Sequence, residues 1–199
     1  MSDQPIDIQD RDLMHQKEIR KVVDRAYSAI ASGAGRTVVD HLYDSEQVAC
    51  LPPGAVEWAL GVGNPVRHAR LAQGATVLDV GCGGGIDTIL AARAVGATGK
   101  VIGLDTLETM LERARVQSAA AGVGDRCDFL QGAMEAIPLA ASSVNVAISN
   151  GVVNLSPRKP RVLAELRRVL RPGGRLCIVD FTVDDLPPEV LTSDAAWAG

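Results

Sequence analysis

From residue 75 onward, short apolar runs alternate with segments of helical periodicity, and this alternation limits the possible folds more than any other feature of the chain. Five runs predict strands, at residues 75–80, 100–105, 127–132, 144–149 and 175–181. Helices are predicted between them at 86–95, 107–122 and 161–170, with Pro172-Gly173-Gly174 ending the last helix before the fifth strand. Continuously apolar strands are buried on both faces, so we predict an α/β fold with a doubly wound, mostly parallel sheet.

Residues 1–74 lack this regularity. Helical periodicity covers residues 15–33, and the turn signals LPPG and GVGNP follow between residues 51 and 65. We predict that residues 1–74 form a helical lid or substrate-entrance segment on a core made by residues 75–199. A chain of 199 residues suits one hydrophobic core, so both parts are expected in one structural domain.

Composition and charge disfavour several classes of partner. The net charge is −4 and aromatic residues make up 3%, which predicts no nucleic-acid surface. No apolar run approaches the ~18 residues of a membrane span, and the acidic start resembles no signal or transit peptide. The four cysteines are widely spaced, without a CxxC pair, at Cys50, Cys82, Cys127 and Cys177. We therefore expect no metal site, no membrane partner and a reducing, cytoplasmic compartment.

A glycine-rich turn, LDVGCGGG, joins the first predicted strand to its helix. Such a turn lets backbone N–H groups and the helix N-terminus approach a ligand closely. Asp105 ends the next strand, one βαβ unit later, where a carboxylate can accept hydrogen bonds from both ribose hydroxyls. The two features together predict a nucleotide-type ligand at the carboxyl ends of these strands.

The glycine spacing decides between two nucleotide cofactors. The dinucleotide fingerprint GxGxxG, counted from Gly81 and Gly83, requires a third glycine where this chain has Ile86. Asp79 stands two residues before Gly81 and suits a ligand with a cationic end better than a pyrophosphate. A nicotinamide-dependent oxidoreductase is therefore disfavoured.

The turn resembles the binding loop of class I S-adenosylmethionine (SAM) methyltransferases, and so do the segments LERAR, LQGAMEAIPL and LRRVLRPGGRL. The resemblance implies a Rossmann-like fold and a set of SAM-binding positions. In this chain they are Asp79, Gly81, Cys82, Gly83, Gly85, Asp105, Thr106, Leu107, Gly132, Ala133, Met134 and Asn150. Many relatives carry an acidic residue at the position of Ala133, where it accepts a hydrogen bond from the adenine amino group.

Within that superfamily the chain resembles the arsenite methyltransferases from about Tyr27 onward, through YDSEQVACLPPGA, GVGNPV and ISNGVVNLSPRKP. That family holds trivalent arsenic with cysteine thiolates, which suit this soft, thiophilic ion. Two of its cysteines normally stand where this chain has Val62 and Gly151, and a third lies beyond residue 199. Cys50 is the one remaining candidate ligand, and a single thiolate does not make the arsenic site.

The resemblance implies a methyltransferase for a small-molecule acceptor other than arsenite. The predicted acceptor pocket comprises Tyr27, His41, Tyr43, Val62, Asn64, Gly151 and Asn154, and no catalytic residue is assigned. Two alternatives stay open: a non-catalytic SAM-binding or partner-regulating protein, and a divergent arsenic methyltransferase fragment. The chain is also C-terminally short for the class, so we expect either that an exposed fifth-strand edge pairs with a second copy in a homodimer or that the chain is a fragment of a longer one.

Overall fold

The computed structural model describes residues 35–182, and residues up to Phe181 in this range belong to one compact unit. The helix predicted at 15–33, with Tyr27, lies outside the described residues. The described α-helices are α1 (Gly35–Leu42), α2 (Ser45–Ala49), α3 (Pro53–Glu57), α4 (Pro65–His68), α5 (Ile86–Val95), α6 (Glu108–Ala120) and α7 (Lys159–Val169). The strands are β1 (Thr76–Val80), β2 (Lys100–Asp105), β3 (Cys127–Gln131), β4 (Val144–Asn150) and β5 (Leu170–Val179).

The strands form one sheet in the order β3-β2-β1-β4-β5, and every neighbouring pair is parallel. The doubly wound parallel fold predicted from the apolar runs is confirmed. The strand order reverses between β1 and β4, because the chain builds outward from β1 first through β2 and β3 and then through β4 and β5. Ligands of such sheets bind outside the carboxyl ends of the strands at this reversal point.

Two hydrophobic clusters cover the sheet. One contains Ile89 and Val95 of α5 together with Val77 of β1, and the other contains Leu166 and Val169 of α7. Residues from the predicted entrance segment belong to the α5 cluster: Val39, Tyr43, Leu51, Ala55 and Val56. Residues 35–74 therefore pack on the same core as the sheet. The division at residue 74 into lid and core stays a prediction.

The boundary between α7 and β5 differs from the predicted one. The helix ends at Val169, and Leu170 already pairs with Val144 of β4. The next paired residues are Val146 and Arg175, so Arg171–Gly174 bulges between two stretches of ladder. Leu170 has extended backbone angles that stop the helix, and the φ of +75° at Gly173 turns the chain back to the sheet. The Pro-Gly-Gly sequence thus makes a bulge within the strand.

Arg168 and Glu165 of α7 hold the loop between β3 and β4. Glu165 is 7% exposed and accepts a hydrogen bond from the N–H of Ile137 at 2.9 Å. Arg168 donates to both carboxylate oxygens of Glu165 and to the carbonyls of Ile137 and Leu139, at 2.7–2.8 Å. These bonds lower the pKa of Glu165. Glu165 and Arg168 therefore provide hydrogen-bond partners for the N–H of Ile137 and for the carbonyls of Ile137 and Leu139.

Truncation of this arginine is expected to destabilise the fold. Arg168→Ala leaves the buried Glu165 carboxylate without its charged partner and the Leu139 carbonyl without its Arg168 donor, so the free energy of unfolding should fall by more than it does when an exposed arginine is removed. Arg167→Ala is the matched control, since Arg167 is the exposed neighbour on the same helix. Urea unfolding of both variants measures the difference. Equal losses for the two variants would contradict this role for Arg168.

Candidate functional site

The glycine turn leaves β1 at the carboxyl edge of the sheet. Its backbone is anchored because Gly81 and Cys82 both donate N–H bonds to the carbonyl of Leu104, at 2.7 and 3.0 Å. Gly83 has a φ of +49°, and a Cβ added there would meet no atom within 4 Å. The turn therefore presents open space at Gly83, two residues before Gly85, which is the N-cap residue of α5. This is the geometry that a ligand close to the backbone requires.

Asp105 links the end of β2 to this turn. Its carboxylate accepts hydrogen bonds from the N–H of Gly83 at 2.9 Å and from the N–H of Leu107 at 3.0 Å. The backbone N–H of Gly132 donates to the Asp105 carbonyl at 2.9 Å, which brings the end of β3 alongside. The Asp105 carboxylate therefore lies at the carboxyl end of β2 beside the glycine turn, where a carboxylate is the kind of group that accepts hydrogen bonds from ribose hydroxyls.

The resemblance to SAM methyltransferases also predicts that Thr106, Leu107, Gly132, Ala133 and Met134 surround the adenine. The Thr106 carbonyl accepts a hydrogen bond from the Gln131 side chain at 3.0 Å. Ala133 is half-buried in the turn after Gly132, and Met134 packs on the α7 cluster. Thr106, Leu107, Gly132 and Ala133 thus lie near the carboxyl ends of β2 and β3, and their contact with adenine stays a prediction.

Cys82 has a packing role within the turn. Its side chain is 7% exposed, and its Sγ would lie 2.9 Å from a Cβ built on Gly103. Burial raises the pKa of the Cys82 thiol well above its usual range. A buried, protonated thiol of this kind behaves as a small hydrophobic group.

Two buried carboxylates lie beneath the turn. Asp79 of β1 is 2% exposed and accepts a hydrogen bond from the Thr88 hydroxyl at 2.6 Å, and Asp87 in the first turn of α5 is 7% exposed. Desolvation raises the pKa of both groups, and repulsion from Asp87 raises that of Asp79 further. Within residues 35–182, no ion pair joins Arg, Lys or His to either carboxylate. Buried negative charge without a counter-ion favours a cationic ligand.

Asn150, the last residue of β4, is the centre of a second polar cluster. Its amide oxygen accepts hydrogen bonds from the N–H groups of Val62 and Gly63, at 2.8 and 3.1 Å. Its amide nitrogen lies 2.9 Å from the Asp87 carboxylate, 2.8 Å from the Gly63 carbonyl and 3.2 Å from the Tyr43 hydroxyl. The hydroxyl of Tyr43 in turn donates to Asp87 at 2.9 Å. Protein groups therefore saturate the Asn150 amide, so a contact with SAM would come from its backbone.

Val62 and Gly151, the two positions at which the resembling family has cysteines, lie against each other. A Cβ built on Gly151 would be 3.3 Å from Cγ1 of Val62. Next along the chain, Val152 rests on the glycine turn, because its methyl groups would lie 2.6–2.7 Å from a Cβ on Gly81. Val152 follows Gly151 directly in the chain and packs on Gly81. The apolar contact between Val62 and Gly151 therefore lies beside the predicted cofactor turn.

The remaining predicted pocket residues have other partners. His41 is exposed, and its Nδ1 lies 2.7 Å from the Thr37 carbonyl in its own helix. Asn64 is buried and caps α4 by accepting from the N–H of Arg67. Asn154 is exposed, and its side chain and N–H donate to the Asp180 carboxylate at 3.0 Å. The structure thus groups Tyr43, Val62 and Gly151 around Asn150 and gives His41, Asn64 and Asn154 structural contacts.

Sequence reasoning missed Asp87. A signal was present, since Asp87 is the one acidic residue in the mostly apolar segment IDTILAARAV, directly after the glycine turn. A carboxylate there is favoured by the helix N-terminus. Its partners, however, come from residues more than 40 positions away, Tyr43 and Asn150, which no local pattern reveals.

The residues of this edge fit SAM. The open backbone cradle at Gly83, the carboxylate of Asp105 and the buried pair Asp79 and Asp87 suit a ligand with a ribose and cationic groups. Within the described range, no group of three or more His, Cys, Asp or Glu side chains is arranged to hold a metal ion. None of the described helices is both long and apolar enough to span a bilayer.

Known proteins match the chain in sequence. The family model described as a methyltransferase domain matches residues 71–198. An arsenite methyltransferase from Halobacterium salinarum is 44% identical over 163 residues, which cover 78% of this chain and 41% of that protein. The ubiquinone/menaquinone biosynthesis C-methyltransferase UbiE of Hahella chejuensis is 41% identical over 118 residues, 59% of this chain and 47% of that protein. The chain thus spans less than half the length of these curated relatives.

Solved structures match the fold. The arsenic(III) S-adenosylmethionine methyltransferase from Chlamydomonas reinhardtii aligns with a TM-score of 0.62 at 32% identity, over 89% of this chain and 56% of that one. A SAM-dependent methyltransferase from Aquifex aeolicus aligns with a TM-score of 0.56 at 28% identity, over 73% of this chain and 79% of that one. With a family model over more than half of its length, the chain belongs to the methyltransferase domain family, in its Rossmann-like, SAM-dependent class.

Proposed function

We propose that the chain transfers a methyl group from SAM to a small organic acceptor, and that arsenite is not this acceptor. One observation carries the proposal. A cofactor edge with the turn at Gly83, Asp105 and the buried Asp79 lies next to an acceptor side where Val62 packs on Gly151 in place of two thiols.

The cofactor side of the mechanism rests on binding and orientation. Gly81, Gly83 and Gly85 let the backbone approach SAM, Asp105 accepts from its ribose, and Asp79 with Asp87 offsets its positive charge. When bound, SAM supplies a methyl group on a sulfonium, so that the acceptor atom bonds to the methyl carbon as the carbon–sulfur bond breaks and sulfur keeps the electron pair. The proton that the acceptor loses passes to solvent.

The acceptor side of the mechanism rests on positioning and exclusion of water. Val62, Gly151 and Val152 offer an apolar surface beside the glycine turn. Methyl transfer from an activated donor requires an in-line approach in a dry pocket more than it requires acid–base chemistry. An acceptor with an apolar body and one nucleophilic atom fits this surface. The C-methyltransferase relative makes a carbon nucleophile worth testing alongside oxygen, sulfur and nitrogen.

Product formation tests the proposal. The purified chain is incubated with SAM and, one at a time, arsenite, a thiol, a phenol, an amine and a quinol, and S-adenosylhomocysteine is quantified by mass spectrometry. We expect turnover with at least one organic acceptor and background levels with arsenite. Arsenite turnover that survives Cys50→Ser would show that the acceptor is wrong and that a divergent arsenic methyltransferase is right. Cofactor binding without turnover on any acceptor would instead support a non-catalytic SAM-binding protein.

We also propose a homodimer through β5, with no nucleic-acid partner. Within the described range, no strand pairs with the far edge of β5, and Leu176 and Phe181 on and after this strand are 40% and 72% exposed. Light scattering is expected to give twice the chain mass, and a monomer mass would reject the dimer. Arg161 and Arg168 donate to backbone carbonyls of the β3–β4 loop, which supports a structural use of basic residues on α7.

The cellular location is a further proposal. All four cysteines are free thiols, which supports a reducing, cytoplasmic compartment.

A further inference from the structure

Asn150 connects the turn Gly61–Gly63 to the end of β4. The backbone N–H groups of Val62 and Gly63 both donate to its side-chain oxygen, at 2.8 and 3.1 Å. The approach is close enough that a Cβ on Gly61 would overlap the Asn150 amide, and a Cβ on Gly63 would overlap Val179 of β5. Two backbone donors on one side-chain acceptor fix both the distance and the orientation of the turn.

The acceptor atom is itself held in place. The amide nitrogen of Asn150 is directed toward Asp87, the Gly63 carbonyl and the Tyr43 hydroxyl, so the amide cannot rotate without losing these bonds. Asp87 is fixed on α5, and Tyr43 follows α1 in the entrance segment. One cluster thus joins four segments: the chain at Tyr43, the turn at Val62, the start of α5 and the end of β4.

We propose that Asn150, oriented by Asp87 and Tyr43, is the positioning residue that holds the turn Gly61–Gly63 closed on β4 and so sets Val62 against Gly151 as the acceptor-side wall. The description of this wall as acceptor-side rests on the proposed function, whereas the latch formed by Asn150, Asp87 and Tyr43 does not. Residues of the latch need not touch the acceptor: they act through the position of Val62.

The latch requires a hydrogen-bond acceptor and a hydrogen-bond donor on the same side chain. Position 150 must accept from the turn through one side-chain atom and donate to Asp87 through the other. Asn150→Asp keeps the acceptor but sets a second carboxylate against Asp87, so the side chains repel. Adding Asp87→Asn to Asn150→Asp restores a donor–acceptor pair between the two positions with the direction reversed. A purely steric role for position 150 would not distinguish the single from the double variant.

Amide hydrogen exchange of the full chain tests the latch without any ligand. The N–H groups of Val62 and Gly63 should exchange about tenfold faster in Asn150→Ala and in Asn150→Asp. The double variant Asn150→Asp with Asp87→Asn should exchange more slowly than Asn150→Asp but faster than the parent, because the bond to position 87 is restored whereas the donor to the Gly63 carbonyl is not. Tyr43→Phe, which keeps the buried ring, should give a smaller acceleration. The amides of Val77 and Leu78 in β1 report global opening and should not change.

Asn154→Ala is the matched control, since Asn154 is an asparagine of the loop after β4 that bonds to Asp180 and not to the turn. Two results would overturn the proposal: unchanged exchange at Val62 and Gly63 in Asn150→Ala, or equal exchange in Asn150→Asp and the double variant. Titration of the parent chain with S-adenosylhomocysteine is run separately. Its failure would reject the proposed function and leave the exchange result to decide the latch.

Discussion

Replacing Asp79 by Asn is expected to stabilise the ligand-free protein at about pH 8 and, at the same time, to remove its affinity for SAM. Asp79 is buried, close to Asp87, and has the Thr88 hydroxyl as its donor. A neutral amide of the same shape ends the desolvation and repulsion that the ionised carboxylate suffers. The same change removes negative charge where a cationic ligand needs it.

The stability gain should depend on pH. Burial, together with repulsion from Asp87, raises the pKa of Asp79 to about 8 in the folded protein, whereas in the unfolded chain it lies near ~3.9. Between these two values the folded state binds more protons than the unfolded state, so the stability of the parent falls as pH rises, by up to about 1.4 kcal/mol per pH unit. Asn does not titrate. The advantage of Asp79→Asn is therefore absent below about pH 4 and grows toward neutral and alkaline pH.

Urea unfolding at about pH 5 and about pH 8 measures this effect, with an expected gain of about 2–4 kcal/mol at the higher pH and a smaller one at the lower. Asp128→Asn is the control, because the Asp128 side chain is 61% exposed beside Lys100. Binding of S-adenosylhomocysteine is followed in the same preparations. A gain of equal size at both pH values, or unchanged affinity for this ligand in Asp79→Asn, would contradict the account of the buried pair.

Restoring two thiols should create arsenite binding in a chain that lacks it. Val62 and Gly151 are in contact, with 3.3 Å between Cγ1 of the valine and a Cβ built on the glycine. The double variant Val62→Cys with Gly151→Cys therefore places two sulfur atoms within reach of one As(III) ion. We expect affinity for arsenite to rise by about a hundredfold or more over the parent.

Cysteine at position 151 is also expected to lower the stability of the fold, which gives a second measurement. Gly151 has a φ of +73°, a region that cysteine adopts at a cost of about 1–2 kcal/mol, so thermal unfolding of Gly151→Cys should shift downward. Calorimetry under reducing conditions compares the parent, both single variants and the double variant. Tight arsenite binding by the parent, or none by the double variant, would contradict the inferred replacement of an arsenic site by an apolar wall.

Most of the fold could be predicted because its signals are local. The runs at β1, β2 and β4 are too apolar for any environment but a covered sheet, and α5 and β2 fall within the predicted ranges to the residue. The bulge at Arg171–Gly174 could not be predicted in this way. Whether Pro-Gly-Gly separates a helix from a strand or interrupts a strand depends on the pairing of Leu170 with Val144, a contact between distant residues.

In the candidate site, the cofactor edge could likewise be predicted from local segments, whereas the latch could not. The cofactor edge is encoded in two short segments, so Gly83 and Asp105 were predictable, and their hydrogen bond confirms that the two segments meet. The latch depends on three residues far apart in the chain. The sequence predicts Asn150 as a SAM-binding position and Tyr43 as an acceptor-pocket residue, but their contacts with the Asp87 carboxylate are visible only in the folded structure.

The central claim is that the carboxyl edge of β1 and β2 binds SAM, and a calorimetric titration with S-adenosylhomocysteine tests it most directly. The parent chain, Asp105→Ala and a parallel titration with NAD form the experiment. The account predicts binding in the micromolar range, a loss of about a hundredfold in Asp105→Ala, and weaker binding of NAD. No binding to the parent chain, or preference for NAD, would contradict it.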